Sequence, residues 1–402
     1  MTSISKALAC SLAALLPFAA AAQPVSVTFG VLTDMSGFVA DATGRGSVVA
    51  AQLAGEAFTA ENPGAQVRVL FADHQNKPDA GAAIARGWID RDGVNAILDV
   101  PFSSVALAVN EVARNSAAAL LASGPGAVAL TGDKCSPNTV HWTYDTWALA
   151  NGTARALTKA GGDTWFFVTA DYAFGLSLEA DASKVIVSLG GKVLGDAKHP
   201  PSGSDFSSYL LAAQASHAKV VGLANAVTDT TNSIKQAAEF GLTTDGTQRL
   251  AALLLQVTDV HALGLPTAQG LYLTDAFYWD ATPATRAFAD RFAARMGGWR
   301  PTSFQAGVYS SALAYLHAAK AAGSADARKV VPELKRAAIE DPLFGTVQVR
   351  ADGRATHAMY LFQVKTPAES HGEWDFYKLL DTIPADQAFR PMAEGGCKLA
   401  GP

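Results

Sequence analysis

The sequence predicts an α/β protein of the doubly wound kind, folded as two similar lobes. Three observations carry this. Short apolar, β-branched runs alternate with alanine-rich stretches whose apolar residues recur every three or four positions. The runs are apolar on both faces, as strands must be in a parallel sheet covered by helices on each side. The alternation is set out twice, near Val27 to Ala150 and near Thr164 to Leu265, with one rhythm and different residues. Strand then helix, repeated, builds a parallel sheet through crossover connections.

In chain order the expected strands are Ser26–Thr33, Gln66–Asp73, Asn95–Val100, Ala118–Ser123, Thr164–Ala170, Lys219–Asn225, Leu250–Gln256 and Gly270–Phe277. The first of these, SVTFGVLT, empties into the polar loop Asp34-Met35-Ser36-Gly37. GSVVAAQLAGEAFTAE, AGAAIARGWIDRD and SSVALAVNEVARN supply the helices of the first series. LSLEADASKVIVSLG and TTNSIKQAAEFGL follow in the second, and ATRAFADRFAARMG comes after it. No Pro- or Ser-rich linker divides the two series. A chain that passes between lobes more than once fits that better than two separate beads. The region 344–380 differs: FGTVQVRADGRATHAMYLFQVK and WDFYKLL read as short antiparallel strands around the turn Ala351-Asp352-Gly353.

The start of the chain predicts export. Lys6 precedes the apolar run ALACSLAALLPFAAAA, which closes on Ala20-Ala21-Ala22, so residues 1–22 read as a secretory signal that is removed. The expected compartment is the periplasm, which lacks ATP, NAD and reducing conditions. A composition of 49% apolar and 17% charged residues is that of a globular chain. Beyond the signal, no apolar run reaches the roughly 18 to 20 residues that span a bilayer. The net charge of −5 comes with no basic run, which argues against nucleic acid and anionic membranes as partners. Of three cysteines, Cys10 leaves with the signal. Cys135 and Cys397 remain, and in an exported protein they suggest a disulfide tying the C-terminus to the middle of the chain; two unpaired thiols are the alternative.

The motifs of metal, nucleotide and hydrolase chemistry are missing. HExxH, G-x-S-x-G, a Walker loop and paired-cysteine zinc spacing do not occur, and His74, His141, His199 and His261 lack partners at ligand spacing. No metal and no cofactor are expected. Gly124-Pro125-Gly126-Ala127-Val128-Ala129 fits G-x-G-x-x-A, with Asp145 at the ribose-binding distance. Its place in the fourth strand–helix unit, the proline in its tight turn and the export of the chain argue against a dinucleotide. A glycine-rich turn at a helix start also suits a small anion such as a carboxylate.

Polar and aromatic residues recur where strands end: Thr33 to Gly37, Phe102-Ser103-Ser104, Ser123-Gly124, Asp171-Tyr172, Asn225 to Asp229 and Phe277-Tyr278-Trp279. In open α/β sheets, ligands bind beyond the carboxyl ends of the strands. Hydroxyls, an amide, a carboxylate and flat rings suit a small organic molecule and supply no nucleophile–base pair. Each residue alone has a structural explanation, such as Ser103 or Ser104 capping a helix or Tyr172 and Phe277 filling a core. Spread over both lobes, the set favours a shared cleft.

Six segments in order carry a family resemblance: VTFGVLTDMSGFVADATGRGSVVAAQLAGEAF, VNAILDVPFSSVALAVNEVA, HWTYDTWALANGTARAL, TWFFVTADYAFGLSLEADA, DFSSYLLAAQASHAKVVGLANAVTDTTNSIKQAAEFGL and DGRATHAMYLFQVK. The chain resembles the periplasmic solute-binding proteins of ABC importers, in the leucine/isoleucine/valine-binding family of type I fold, over essentially its whole mature length. The resemblance implies two Rossmann-like lobes joined by three crossovers near Tyr144, Asp275 and Thr356, with the ligand cleft between them. Residues 24–144 with 276–356 would form the first lobe, 145–275 with 357–390 the second, and 391–402 a tail. It implies a monomer that closes around its ligand and docks on a membrane permease.

Carried over by position, the carboxylate-binding turn falls on Ser103 and Ser104, preceded by Phe102. Ser123 and Gly124 supply a hydroxyl and backbone groups, and Tyr172 of D-Y-x-x-G faces the ligand. The acceptor for an amino group falls on Asp229 with Asn225, or on Gln256. Phe277 forms an aromatic wall, with Tyr278 as a second candidate, and Met35 belongs to a rim loop. A glutamate is missing at the end of the Leu250–Gln256 strand, where an ammonium partner belongs. HWTYDTWALA and TADYAFG are closer to members that take up aromatic or other organic acids. The expected function is capture of a small organic carboxylate, a branched-chain amino acid or an aromatic acid, for uptake and without catalysis. An exported enzyme or a soluble sensor on the same scaffold is the competing reading.

Overall fold

The computed structural model describes residues 25–243 and 246–400, so residues 1–22, expected to form a secretory signal, lie outside the described residues. Five strands, β1 (Ser26–Thr33), β2 (Gln66–Asp73), β3 (Ala96–Asp99), β4 (Ala119–Ala122) and β5 (Thr139–His141), form a parallel sheet in the order β2-β1-β3-β4-β5. Four more, β6 (Thr164–Ala170), β7 (Lys192–His199), β8 (Val220–Ala224) and β9 (Arg249–Ala252), form a second parallel sheet in the order β7-β6-β8-β9. The two sheets are wound alike. In each, the strand order reverses between the first and third strands, and a crevice opens there at the carboxyl ends.

Helices on both faces bury β3, β4 and β8 at every residue, which is why these strands read as unbroken apolar runs. The edge strand β7, KVLGDAKH, alternates exposed and half-buried positions, and its lysines and aspartate kept it out of the expected set. The helix Ser303–Ala322 was also absent from that set. It packs on the helix Gly44–Glu61 and behind the first sheet, and it is buried nearly all round, so it shows no polar stripe. A capping box of Thr302 and Gln305 starts it.

The remaining strands are antiparallel. They are β10 (Tyr272–Asp275), β11 (Ile339–Asp341), β12 (Gly345–Val349), β13 (Ala355–Thr356), β14 (Met359–Val364) and β15 (Tyr377–Ile383). One sheet has the order β11-β12-β13 and another β10-β14-β15. The expected turn lies between β12 and β13, with Gly353 at φ +88°. β10 was expected alongside the parallel strands; it pairs with β14 instead.

After β5 the chain passes to the second lobe. It returns beyond β10, where Phe277 packs on Phe288 and Phe344, and leaves again beyond β13. Cys135 and Cys397 are joined in a disulfide. One apolar core runs from Phe29 through Phe102 and Tyr144 to Phe174 and Leu178 of the second lobe. Another, around Phe206, Leu223 and Trp374, lies in the second lobe.

Candidate functional site

The two crevices face each other across a narrow cavity of about 20 Å³. The first lobe contributes Val39, Pro101, Phe102, Gly124, Tyr144 and Phe304 to its wall. The second contributes Tyr172, Phe174, Ala226, Val227 and Leu254. The lobes touch around it. Thr228 Oγ1 donates to the Phe38 carbonyl (2.9 Å), the Ser303 hydroxyl donates to Gln256 Oε1 (3.1 Å), and the Phe102 and Tyr172 rings stand 6.1 Å apart.

Backbone strain marks both sides. Asp99 and Val100, at the end of β3, have φ of +75° and +56°, and Val227, just past β8, has φ +49°. A β-branched residue at positive φ is disfavoured, and here it occurs at matching places in the two lobes. The turns lead into helices that start at the cavity wall. Phe102 is the N-cap of Ser103–Ala113, Tyr172 of Ala173–Ser188 and Val227 of Thr228–Glu239. None of the three makes a side-chain cap. Phenylalanine and valine have no acceptor to offer, so the first-turn amides keep their partial positive charge for something else.

Three expected residues, Phe102, Gly124 and Tyr172, meet at the cavity. Gly124 fits because a β-carbon there would lie 2.7 Å from both Asp99 Oδ1 and Pro101 Cα. Its carbonyl accepts from the Tyr144 hydroxyl at 2.6 Å. Burial pushes the Tyr172 hydroxyl well above its ordinary pKa, so it stays protonated. Ser123 is buried next to Gly124, and its hydroxyl has no partner.

The other expected residues are held elsewhere. Ser103 Oγ accepts from the Gly126 and Ala127 amides (3.3 and 3.2 Å), so it braces the glycine-rich turn. Ser103→Ala should therefore lower the unfolding free energy by about 1 to 3 kcal/mol, read by urea titration, because two buried donors lose their acceptor. Ser104 is half-buried one position on, off the cavity wall. Met35 is half-buried with its amide turned to Asp73, and Val39 reaches the cavity in its place. Asn225 accepts from Thr230 (2.8 Å) and donates to Ser233 (3.2 Å). Asp229 accepts from the Ser202 and Gly203 amides (3.0 and 2.9 Å), and burial pushes its carboxyl up to about 6. Gln256 Oε1 accepts from Ser303 across the lobes, while its Nε2 is unpartnered. Phe277 belongs to the core around Phe288.

Sequence reasoning missed Tyr144, Phe174 and Phe304, which supply much of the aromatic wall. Tyr144 and Phe304 stack at 5.4 Å. Tyr144 and Phe174 do lie in the quoted segments HWTYDTWALA and DYAFG; Phe304 sits in an unforeseen helix and gave no signal. No residue lining the cavity is charged.

A family model for periplasmic binding proteins matches residues 26–372. The chain belongs to this family. A periplasmic binding protein from Burkholderia mallei is 49% identical, with 93% of this chain and 99% of that one covered and a TM-score of 0.90. A branched chain amino acid ABC transporter periplasmic ligand-binding protein from Burkholderia xenovorans LB400 is 39% identical, covering 93% and 100% at a TM-score of 0.82. An R. palustris ABC transporter solute-binding protein in complex with benzoate shares the fold at 20% identity, covering 93% and 100% with a TM-score of 0.79. No curated protein sequence matches the chain. The family fold is type I, with parallel sheets in two lobes, as the resemblance implied. Members bind small molecules and work with ABC transporters, which implies a periplasmic location. Among the described residues no helix is long and apolar enough to cross a membrane.

Proposed function

We propose that this chain is the solute-capturing component of an ABC importer, and that its solute is a small, flat carboxylate of the aromatic-acid type. The cavity carries the reading. Phe102, Tyr144 and Phe304 from one lobe face Tyr172 and Phe174 from the other, three uncapped helices begin at the wall, and no lining residue is charged. Rings suit a ring, and helix N-termini suit an anion. The ammonium group of an amino acid would need an acceptor, yet Asp229 is engaged by Ser202 and Gly203, and Gln256 Oε1 by Ser303. The name of the 39% identical relative favours a second reading, a branched-chain amino acid.

In this reading residues 1–22 direct export and are removed, and the mature chain acts as a monomer. The domain limits are 24–144 with 276–356 and 145–275 with 357–390, followed by the tail 391–402. Ligand contacts both lobes only when they are closed, so it shifts the open–closed equilibrium, and the closed form is what the permease accepts. Ser103 supports the carboxylate turn, with Ser123 offering a hydroxyl beside Gly124. Chemistry is not part of the role.

A thermal-shift panel of benzoate, 4-hydroxybenzoate, leucine and valine tests this. The aromatic acids should raise the melting temperature, with a stabilisation of about 2.7 kcal/mol at a hundredfold excess over Kd. Stabilisation by leucine and valine alone would favour the second reading. Conversion of any panel member to a product would make the chain an enzyme.

A further inference from the structure

A buried arginine sits where the chain passes between the lobes. Arg354 follows the turn Ala351–Gly353, and none of it is exposed. Its Nη1 donates to the Tyr144 carbonyl (2.8 Å), Nη2 to the Trp142 carbonyl (2.5 Å) and Nε to the Ala355 carbonyl (2.9 Å). The Asp145 carboxylate lies 3.6 Å from Nη1. Alongside, the His141 amide donates to the Gly353 carbonyl (2.9 Å), and His357 Nε2 lies 3.2 Å from the Trp142 carbonyl. One guanidinium thus joins the passage after β5 to the start of β13.

A C-terminal segment covers this arginine. The Phe389 ring lies 4.5 Å from the guanidinium carbon and edge-on to His357. The segment starts in the second lobe, where β15 ends at Ile383 and Asn151 Nδ2 donates to the Gln387 carbonyl (2.5 Å). It ends on the first lobe. There Arg390 donates to the Val128 carbonyl (3.2 Å), Arg350 donates to the Arg390 carbonyl (2.9 Å), and Cys397 is bonded to Cys135.

Tyr144 links the arginine to the cavity. Its carbonyl accepts from Arg354, its ring stacks on Phe304, and its hydroxyl donates to Gly124. Tyr144, Phe304 and Gly124 all line the cavity. We propose that Arg354 is a positioning residue for the ligand cavity, and that the strap Pro384–Cys397 is a fourth connection between the lobes that holds it in place. A buried guanidinium keeps its carbonyl partners only while water stays out, because a hydrated cation no longer needs them. The Phe389 ring excludes that water and adds a cation–π attraction. The disulfide fixes the far end of the strap, so the ring stays seated as the lobes move.

The proposal rests on the reading that this cavity takes the ligand, so its test starts with ligand-free protein. Hydrogen exchange read by mass spectrometry follows the His141 amide, bonded to Gly353, and the Trp142 amide, bonded to Ala122. Phe389→Ala should speed exchange at both by roughly tenfold or more, and Phe389→Tyr should restore the native rates. The paired variant C135S/C397S should also speed exchange at both. Benzoate is the binding probe, and Phe389→Ala should weaken it by roughly tenfold while Phe389→Tyr does not. Faster exchange confined to 384–397 in both Phe389→Ala and the cysteine variant would overturn the proposal. A wild-type chain that ignores benzoate would overturn the ligand class, and the exchange rates would still decide the role of Arg354.

Discussion

Reduction of the Cys135–Cys397 bond should lower the unfolding free energy by about 4 to 5 kcal/mol, the largest single effect expected for this chain. The two cysteines are 262 residues apart, so the bond closes most of the mature chain into one loop. A cross-link removes conformations from the unfolded chain, and it removes more of them when the loop is long. The native state adds to this, because the bond anchors the strap that crosses from β15 to the first lobe. Guanidinium titration with and without a reductant reads the effect directly, and C135S/C397S should match the reduced protein. An unchanged midpoint would show that the unfolded chain is already restrained by other means.

The next largest effect belongs to Asp99, and it depends on pH. The side chain is fully buried at the end of β3, where it accepts from the Thr33 hydroxyl at 2.8 Å. Burial pushes its carboxyl from 3.8 up to about 7. Between those values the folded chain holds a proton that the unfolded chain has lost. The stability from this group is therefore complete below about pH 4 and is lost as pH rises to about 7, with no further change above. Asparagine keeps an acceptor for Thr33 and never ionises. Asp99→Asn should match the wild type below about pH 4 and exceed it by on the order of 2 to 4 kcal/mol at pH 8.5. Buried His74 and His357, both lowered to about 4, act with the opposite sign, and they cancel because both proteins carry them. Melting curves across this range provide the check. A gap between the two proteins that stays constant with pH would mean that Asp99 does not titrate there.

The α/β plan was legible because buried parallel strands leave a plain trace. SVTFGVLT, TWFFVTA and the run around Val220–Ala224 are apolar enough to be seen without any partner. The elements that escaped lacked contrast in one of two ways. β7 carries the polar residues of an edge, and Ser303–Ala322 is buried on nearly all sides and so has no amphipathic stripe. The cysteine pairing was readable from a count of two in a chain whose first residues predict export.

The site was half legible for a different reason. Of the strand-end residues singled out, Phe102, Gly124 and Tyr172 meet at one cavity. Which neighbour turns toward the cavity is set by the backbone, and residue type alone does not show it. Positive φ at Asp99, Val100 and Val227 aims these turns, yet none of the three is a glycine that would announce it. Asp229 has the right charge, but its carboxylate is taken by two amides of the 202–203 loop. Phe304 arrives from a helix far along the chain. Ser103 holds the cavity's glycine-rich turn from behind, a role that a hydroxyl at a helix start conceals.

Calorimetric titration of benzoate, and separately of leucine, into the same unliganded protein tests the central claim most directly. The cavity of aromatic walls, uncapped helix starts and uncharged lining predicts saturable binding of one benzoate per chain, recovered unaltered, and no heat from leucine. Saturable binding of leucine with none of benzoate would contradict it.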